Sequence, residues 1–545
     1  MAKEQFLNRL SITKTTALLV VILCFTISAA WGAKPGSVLY VNASAGDYGD
    51  GQSWITAFND LQSAIDAAEP GDEIWVAAGT YKPSSRIYDA SDPCNATFIL
   101  KSGVRIYGGF AGDENQVFKR QADPSLTVLS GDFGTIGDDT VNSYHVVYAV
   151  EVTDAVLDGF TVTGGRGKWL RGLDGWGDRE DSNKGAGMYN KNSALTVANC
   201  IFSDNQVATI SPGYTDIHGY GAGMYNYYSA PVVNNCTFIA NKAGGLSIQQ
   251  YPWFAYGHGG GMYNEGYFGT SAETQYPVIT GCTFSDNEAA AKTYVWNGLP
   301  LTWAGGGGMY NNDCYPTIDS CSFVRNSAGN GGAVFNRGGG AKITNSVFSA
   351  NFNIVRTDYG NGGAMVNYGS YAVILNCTFY QNGWRLYPEG TPDPRFKPSA
   401  GYGGAIINFY GWATIANSVF MGNAVYKQGG AIANVLVYPG FLPNLYNNLF
   451  YENVSWAGWY TPTYEVIDHI QGPFAQNFGP DSLESLYDID PLLVNPTGGD
   501  FHLRYDSPAI DTGTPRTFAN VILSGYGEEM PSKDFYGNTR IVDAD

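Results

Sequence analysis

Charge is scarce in this chain: Asp, Glu, Lys and Arg make up 14% of 545 residues, and there are five histidines. Basic residues are the rarer sign, 30 against 49 acidic, and the net charge of −19 argues against nucleic acid or an anionic membrane as partner. Helix signals are nearly absent outside residues 57–68, where Phe58, Leu61, Ala64, Ile65 and Ala68 form one apolar face. No Walker loop, zinc-ligand spacing or Gly-x-Ser-x-Gly element occurs, which leaves no phosphate cradle, structural zinc site or serine-hydrolase elbow. Long apolar runs are missing except at residues 17–30. That run follows Lys3, Arg9 and Lys14, is too short to span a bilayer comfortably, and ends near Ala30-Trp31-Gly32. It is read as a signal peptide over residues 1–33, which predicts a secreted or cell-surface protein with no transmembrane segment in the mature chain.

What is abundant is glycine, 70 residues, and aromatic side chains, 14%. Both are organised. Eight times between Gly185 and Asn453 a phrase G-[GA]-[GA]-hydrophobic-x-Asn is followed by [Cys/Ser]-x-Phe-x-x-Asn, with Asn448 in place of the Cys/Ser in the last copy. The first half ends at Asn190, Asn226, Asn264, Asn311, Asn336, Asn367, Asn408 and Asn434. In six of the eight copies the second half starts ten residues later, and the shortest full copy is 25 residues, from Asn311 to Asn336. The return to the next copy varies freely in length. A fixed unit with variable excursions is the pattern of a solenoid.

Side-chain parity divides the unit. Three residues before each Cys/Ser stands an aliphatic residue, Val197 or Ile318 for example, and two after it stands Phe. Alternation has period two along a strand, so an odd spacing requires a corner. The residue before the Cys/Ser is mostly Asn, Gly or Ser, types that tolerate a left-handed bend. A second odd spacing separates Phe from the following Asn. The expected fold is all-β: a right-handed, single-stranded parallel β-helix of three-strand coils, with ladders of Asn, Phe and Cys/Ser, and the 57–68 helix capping its open first coil. Segments 38–41, 74–78, 97–100 and 104–107 read as early irregular coils, and 157–163 as the last before the regular repeats. Five of the seven cysteines outside the leader share one inward position. They read as buried thiols interchangeable with Ser346 and Ser418, against the alternative of bridges such as Cys200–Cys236 or Cys282–Cys321.

The GGA[I/V] and F-x-x-N pair resembles the repeats of chlamydial polymorphic outer-membrane proteins, and the chain is similar to secreted bacterial proteins of the pectin-lyase-like superfamily. Residues 490–513, D-P-L-L-V-N-P-T-G-G-D-F-H-L-R-Y-D-S-P-A-I-D-T-G, resemble a choice-of-anchor region. These resemblances imply a cell-surface β-helix and leave its activity open. The expected domains are the signal peptide over 1–33, the cap and irregular coils over 34–165, regular repeats with insertions over 166–453, and closing coils over 454–545.

Function is expected on the excursions, which leave the coil at one corner and therefore stack along one face. Segments 164–184, 206–220, 242–258, 288–304, 383–402 and the stretch after Asn453 carry eight of the twelve tryptophans. Aromatic rings along a groove stack on the apolar faces of sugars, and Trp253, Tyr256, Trp296, Trp303, Trp384, Tyr387, Trp456 and Trp459 are the expected ligand-binding set. The same rings would equally serve as miniature cores for long loops. Catalytic candidates are few: Arg385, Arg395 and Lys397 as a basic group for a lyase, and Asp468 beside His469 for a hydrolase. Asp174, Asp178 and Asp181 are oxygen ligands that calcium, the one cofactor considered, could take. A non-catalytic adhesin-like protein that binds glycan is the expectation, with a polysaccharide lyase or glycoside hydrolase as the alternative. The expected partner is a polysaccharide or cell-surface glycan, and the expected state a monomer.

Overall fold

The structure is a computed structural model. It describes residues 36–134, 141–168, 181–207, 217–244, 255–266, 276–290, 304–354, 361–383, 401–425, 429–435 and 448–455. Shorter pieces are described at 210–211, 246–247, 444–446, 466–467, 470–471, 486–487, 489–504 and 507. Three sheets of twelve strands each run along the molecule, and each strand pairs with its counterpart one coil away. Within one coil the chain passes Met188–Lys191 in the first sheet, Ala194–Ala198 in the second and Ile201–Ser203 in the third. A two-residue strand, Gln206–Val207 in this coil, adds a fourth, shorter sheet of six strands. Pairing between the repeated coils is parallel throughout, and the winding is the right-handed parallel β-helix expected.

Register is absolute across the repeats. Met188, Met224, Met262, Met309, Val334, Met365, Ile406 and Ile432 fall directly over one another and point into a single core. The third sheet contributes a column of phenylalanines from Phe202 to Phe450, whose ring centroids repeat at 4.7–5.0 Å with interplanar angles of 1–12°. That spacing is the distance between hydrogen-bonded strands, so stacking adds to the ladder without distorting it.

Both corners inferred from parity are present. Asn199, Asn235, Ser320, Asn345, Asn376 and Asn417 hold φ between 49° and 58°, and Gly281 holds 63°. The second corner places Asp204, Ala240, Asp286, Arg325, Ala350, Gln381 and Glu452 in the same region, immediately before the ladder asparagines. Arg325 and Ala350 have no local side-chain hydrogen bond to favour that conformation, and the ladder behind them overrides its cost of about 1 kcal/mol.

Two asparagine columns close the coils. In the first sheet each Nδ2 donates to the next Oδ1, from Asn190 to Asn434, at 2.7–2.8 Å. In the second column Asn351 Nδ2 donates to Phe323 O at 2.9 Å and to Asn382 Oδ1 at 3.0 Å, while its Oδ1 accepts from Asn326 N and Nδ2. These residues are fully buried, and the columns satisfy turn groups that no strand reaches.

The seven described cysteines are buried thiols that form no disulfide with one another. Cys and Ser alternate because they make the same two bonds. Cys200 Sγ donates to Ala198 O and Ser346 Oγ to Thr344 O, while Cys321 N donates to Ser346 Oγ and Cys200 N to Cys236 Sγ. Burial holds the Cys236 and Cys321 thiols well above their usual range, in the protonated form.

Helix α1, Leu61–Ala67, covers the first coil with Leu61, Ala64 and Ile65 buried. It starts three residues inside the apolar stretch because Asp60 caps it, accepting from Ser63 N at 2.9 Å, while Phe58 bonds the Tyr40 backbone instead. At the other end Leu486–Tyr487 is the last strand of the third sheet, and Leu493–Asn495 with Asp500–Leu503 form a separate antiparallel pair. No helix among the described residues is long and apolar enough to cross a membrane. Replacing Asn351 by Leu removes four hydrogen bonds at a buried corner. It should destabilise by about 3 kcal/mol or more, read as a lowered melting temperature in the purified chain, and an unchanged midpoint would contradict the ladder's role.

Candidate functional site

The outward face of the first sheet is where polar chemistry gathers. In Met188-Tyr189-Asn190 the methionine and asparagine point inward, so the tyrosine points out. Because the triplet recurs in register, Tyr148, Tyr189, Tyr225, Tyr263, Tyr310 and Phe335 form one external stack with centroids 4.8–5.6 Å apart. Beyond Phe335 the column continues as Val366, Ile407 and Ala433.

The excursions return onto this stack as strands. Ile217–Tyr220 pairs in parallel with Ala255–His258. Single bridges from Lys184 to Tyr220 and from His258 through Gly305 to Asn330 carry the same column along the helix. These strands place Tyr220 edge-on to Tyr263 at 5.1 Å and His258 edge-on to Tyr310 at 5.0 Å. His218 Nδ1 lies 3.2 Å from His258 Nε2, and His258 Nδ1 is buried with no hydrogen-bond partner among the described residues.

The acids on this face are committed to phenols. Asp181 accepts from Tyr189 at 2.8 Å and from Tyr88 at 3.1 Å, and Tyr88 also meets the Tyr148 hydroxyl at 3.0 Å. Glu265 accepts from Tyr225 at 2.6 Å. Lys184 stands 4.0 Å from Asp181 and 5.6 Å over the Tyr225 ring, and the positive charge of Arg337 partly offsets the effect of burial on the Tyr310 hydroxyl. Burial raises the pKa of the Tyr189, Tyr225, Tyr263 and Tyr310 hydroxyls, and pushes that of Tyr220 up to about 12. These hydroxyls are therefore donors at neutral pH. Burial lowers the imidazoles of His145 to about 4 and His258 to about 3, so both are neutral.

Of the residues named from sequence, two fall within the described structure. Tyr256 is buried, stacked on His218 at 4.9 Å, and is not an exposed sugar platform. Asp181 serves as the phenol acceptor above, with no group of three metal-ligating side chains among the described residues. Trp253, Trp296, Trp303, Trp384, Tyr387, Trp456, Trp459, Arg385, Arg395, Lys397, Asp468, His469, Asp174 and Asp178 lie outside the described residues. The tyrosine stack was missed from sequence, although its signal was plain: Met-Tyr-Asn in four successive copies, at the position left as x in the repeat.

No family model matches the chain, and no curated protein matches it. Solved structures similar to it include the pectate lyase Pel9A, at 15% identity over 71% of this chain and 79% of that one, with a TM-score of 0.36. The A-module of the Azotobacter vinelandii mannuronan C-5 epimerase AlgE4 aligns at 14% identity over 82% and 100%, with a TM-score of 0.32. An alginate lyase from Paenibacillus sp. aligns at 15% over 83% and 98%, with a TM-score of 0.26. The coil geometry, and not these likenesses, carries the fold.

The neutral buried imidazoles set a pH dependence. Unfolded histidine takes up a proton below about pH 6.5, while folded His145 stays neutral to about 4. Stability that is complete above about pH 6.5 is lost as pH falls towards 4. The melting temperature should drop between pH 7 and 5, and His145→Gln should flatten that slope; an equally steep slope in the variant would remove His145 as its source.

Proposed function

We propose that this is a secreted or surface-displayed β-helix that binds glycan without catalysis, as an adhesin or a structural component of the cell surface. One observation carries the reading: among the described residues, the acids of the outer face of the first sheet are spent on holding a buried aromatic stack together. Asp181 and Glu265 each accept from tyrosines whose pKa burial has pushed up. A phenol held protonated is a poor base, and a carboxylate bonded to it is poorly placed to move protons on a substrate. The face is thus a rigid floor, and the tryptophans carried in the sequence of the excursions are the groups that would stack on sugar. The signal-like leader and the choice-of-anchor resemblance support export, and the net charge of −19 supports an uncharged glycan over an anionic surface.

A second reading, a lyase or hydrolase acting on an acidic or plant-type polysaccharide, is favoured by a different observation. Lys184, Glu265, His258 and Arg337 face one sheet within five successive coils, about 20 Å at the strand spacing. Both readings meet in one experiment on the purified chain without its leader: retention by immobilised polysaccharides and release of new reducing ends, with and without calcium. Retention without release is expected. Release from one polymer, abolished by His258→Ala or Arg337→Ala, would replace the non-catalytic reading by the enzymatic one.

A further inference from the structure

Where the first sheet turns into the second, most described coils place one residue in a left-handed conformation, Gly266 being an exception. Asn192, Asp313, Gly338 and Gly369 fill that corner in four coils with φ from 46° to 62°, as the steric limits favour. In two other coils the corner is Tyr228, at φ 48°, and Tyr410, at φ 52°. A bulky side chain there costs stability that Asn or Gly would not, so these tyrosines are held against a local preference.

The same edge gathers exposed apolar surface. Two residues ahead of the register row Val278, Thr317, Lys342 and Val373 stand Tyr276, Tyr315, Gly340 and Tyr371, one to a coil. Tyr276 and Tyr315 lie 5.1 Å apart, and Tyr410 sits 5.9 Å from Tyr368. Tyr315, Tyr371 and Tyr410 are 37%, 45% and 41% exposed. With Val232 and Val278 they are five of the eleven exposed large apolar residues among those described. Gly340 breaks the row for a structural reason: a Cβ there would lie 1.9 Å from Tyr371 O. It leaves an open step between rings two coils apart, about 9.6 Å.

We propose that this edge is a binding site for an extended, uncharged hexopyranose polymer, whose sugar faces stack on Tyr315, Tyr371 and Tyr410. The inference rests on the glycan-binding reading but moves the contact from the excursions to the bare scaffold. The occupant follows from the geometry and the charge. Tyr315 and Tyr371 share one row two coils apart, and Tyr410 stands in the corner column beside it, two residues ahead of the Trp412 that continues the row. Rings spaced by whole coils match an extended glycan, in which one sugar advances by about one coil, and tyrosine supplies an apolar face with a polar rim. The net charge of −19 disfavours a polyuronate.

The test is affinity gel electrophoresis of the purified chain in hydroxyethylcellulose, galactomannan and polygalacturonate gels. Retardation in a neutral gel is expected, with affinity lowered about tenfold or more in Tyr315→Ala/Tyr371→Ala. Tyr410→Asn should weaken binding and raise the melting temperature, since it relieves the left-handed strain. Undiminished retardation of the double variant would overturn the edge site and leave glycan binding elsewhere intact. Retardation in polygalacturonate alone would overturn the uncharged class, and no retardation in any gel would overturn both readings. A lower melting temperature for Tyr410→Asn would assign that tyrosine to packing and count against the proposal.

Discussion

The side-chain amide hydrogen bond between stacked asparagines is the interaction on which this structure depends. Each coil is a poor folding unit, since its strands are two to six residues long and its corners leave backbone groups unpaired. The two columns answer both problems. Asn190 to Asn434 bond amide to amide along the first sheet, and Asn205 to Asn453 do the same, while Asn241 and its successors also capture the carbonyl of the phenylalanine one coil back. The amide-to-amide donors all point the same way along the axis, so these bonds polarise one another in a dry interior. A one-residue slip would break every amide contact in the coil, which is why the registers contain no shift between Met188 and Ile432.

Absolute register makes any surface on this scaffold a set of columns. A side chain chosen at one position of the repeat is offered again one coil later, and its natural partner is its own copy. Tyrosine therefore stacks on tyrosine, and acid–phenol contacts arise between neighbouring columns, as from Tyr225 to Glu265 in the next coil. Function on such a surface is more readily an extended contact than a compact constellation. A convergent site needs segments that leave the columns, which is what the strands Ile217–Tyr220 and Ala255–His258 do when they bring His218 and His258 together.

The fold was legible because its causes are local and repeated. Odd spacings located both corners, and the left-handed φ of Asn199 and Asp204 is where parity required a bend. The exchange of Cys with Ser at 346 and 418 was visible, but its reason was not: sulfur and oxygen accept the same backbone N–H, a contact between residues 25 to 46 apart in sequence. The helix was placed correctly in outline, and its start moved because a cap at Asp60 outweighs an apolar face. The candidate site was read far less well. Attention to the excursions passed over the Met-Tyr-Asn triplets, whose outward tyrosine follows from the inward asparagine beside it. Tyr256 looked like a loop aromatic, because a short strand pairing with another excursion leaves no periodic trace in its own sequence.

The external stack also divides the scaffold chemically. From Tyr148 to Tyr310 each ring carries a hydroxyl, and these coils hold Asp181, Lys184, His218, His258 and Glu265. At Phe335 the hydroxyl disappears, and Val366, Ile407 and Ala433 then shrink the column to plain aliphatic packing. Burying a polar side chain is tolerable only where partners exist, so the change from Tyr to Val marks where hydrogen-bonding excursions give way to apolar cover. The exposed tyrosines of the neighbouring edge, Tyr315, Tyr371 and Tyr410, lie in the coils where the outer stack ends or has become aliphatic. Buried hydrogen-bonding chemistry thus concentrates where the outer stack is phenolic, while the edge tyrosines form a separate, exposed column on the same coils, so one repeat offers two surfaces of different chemistry.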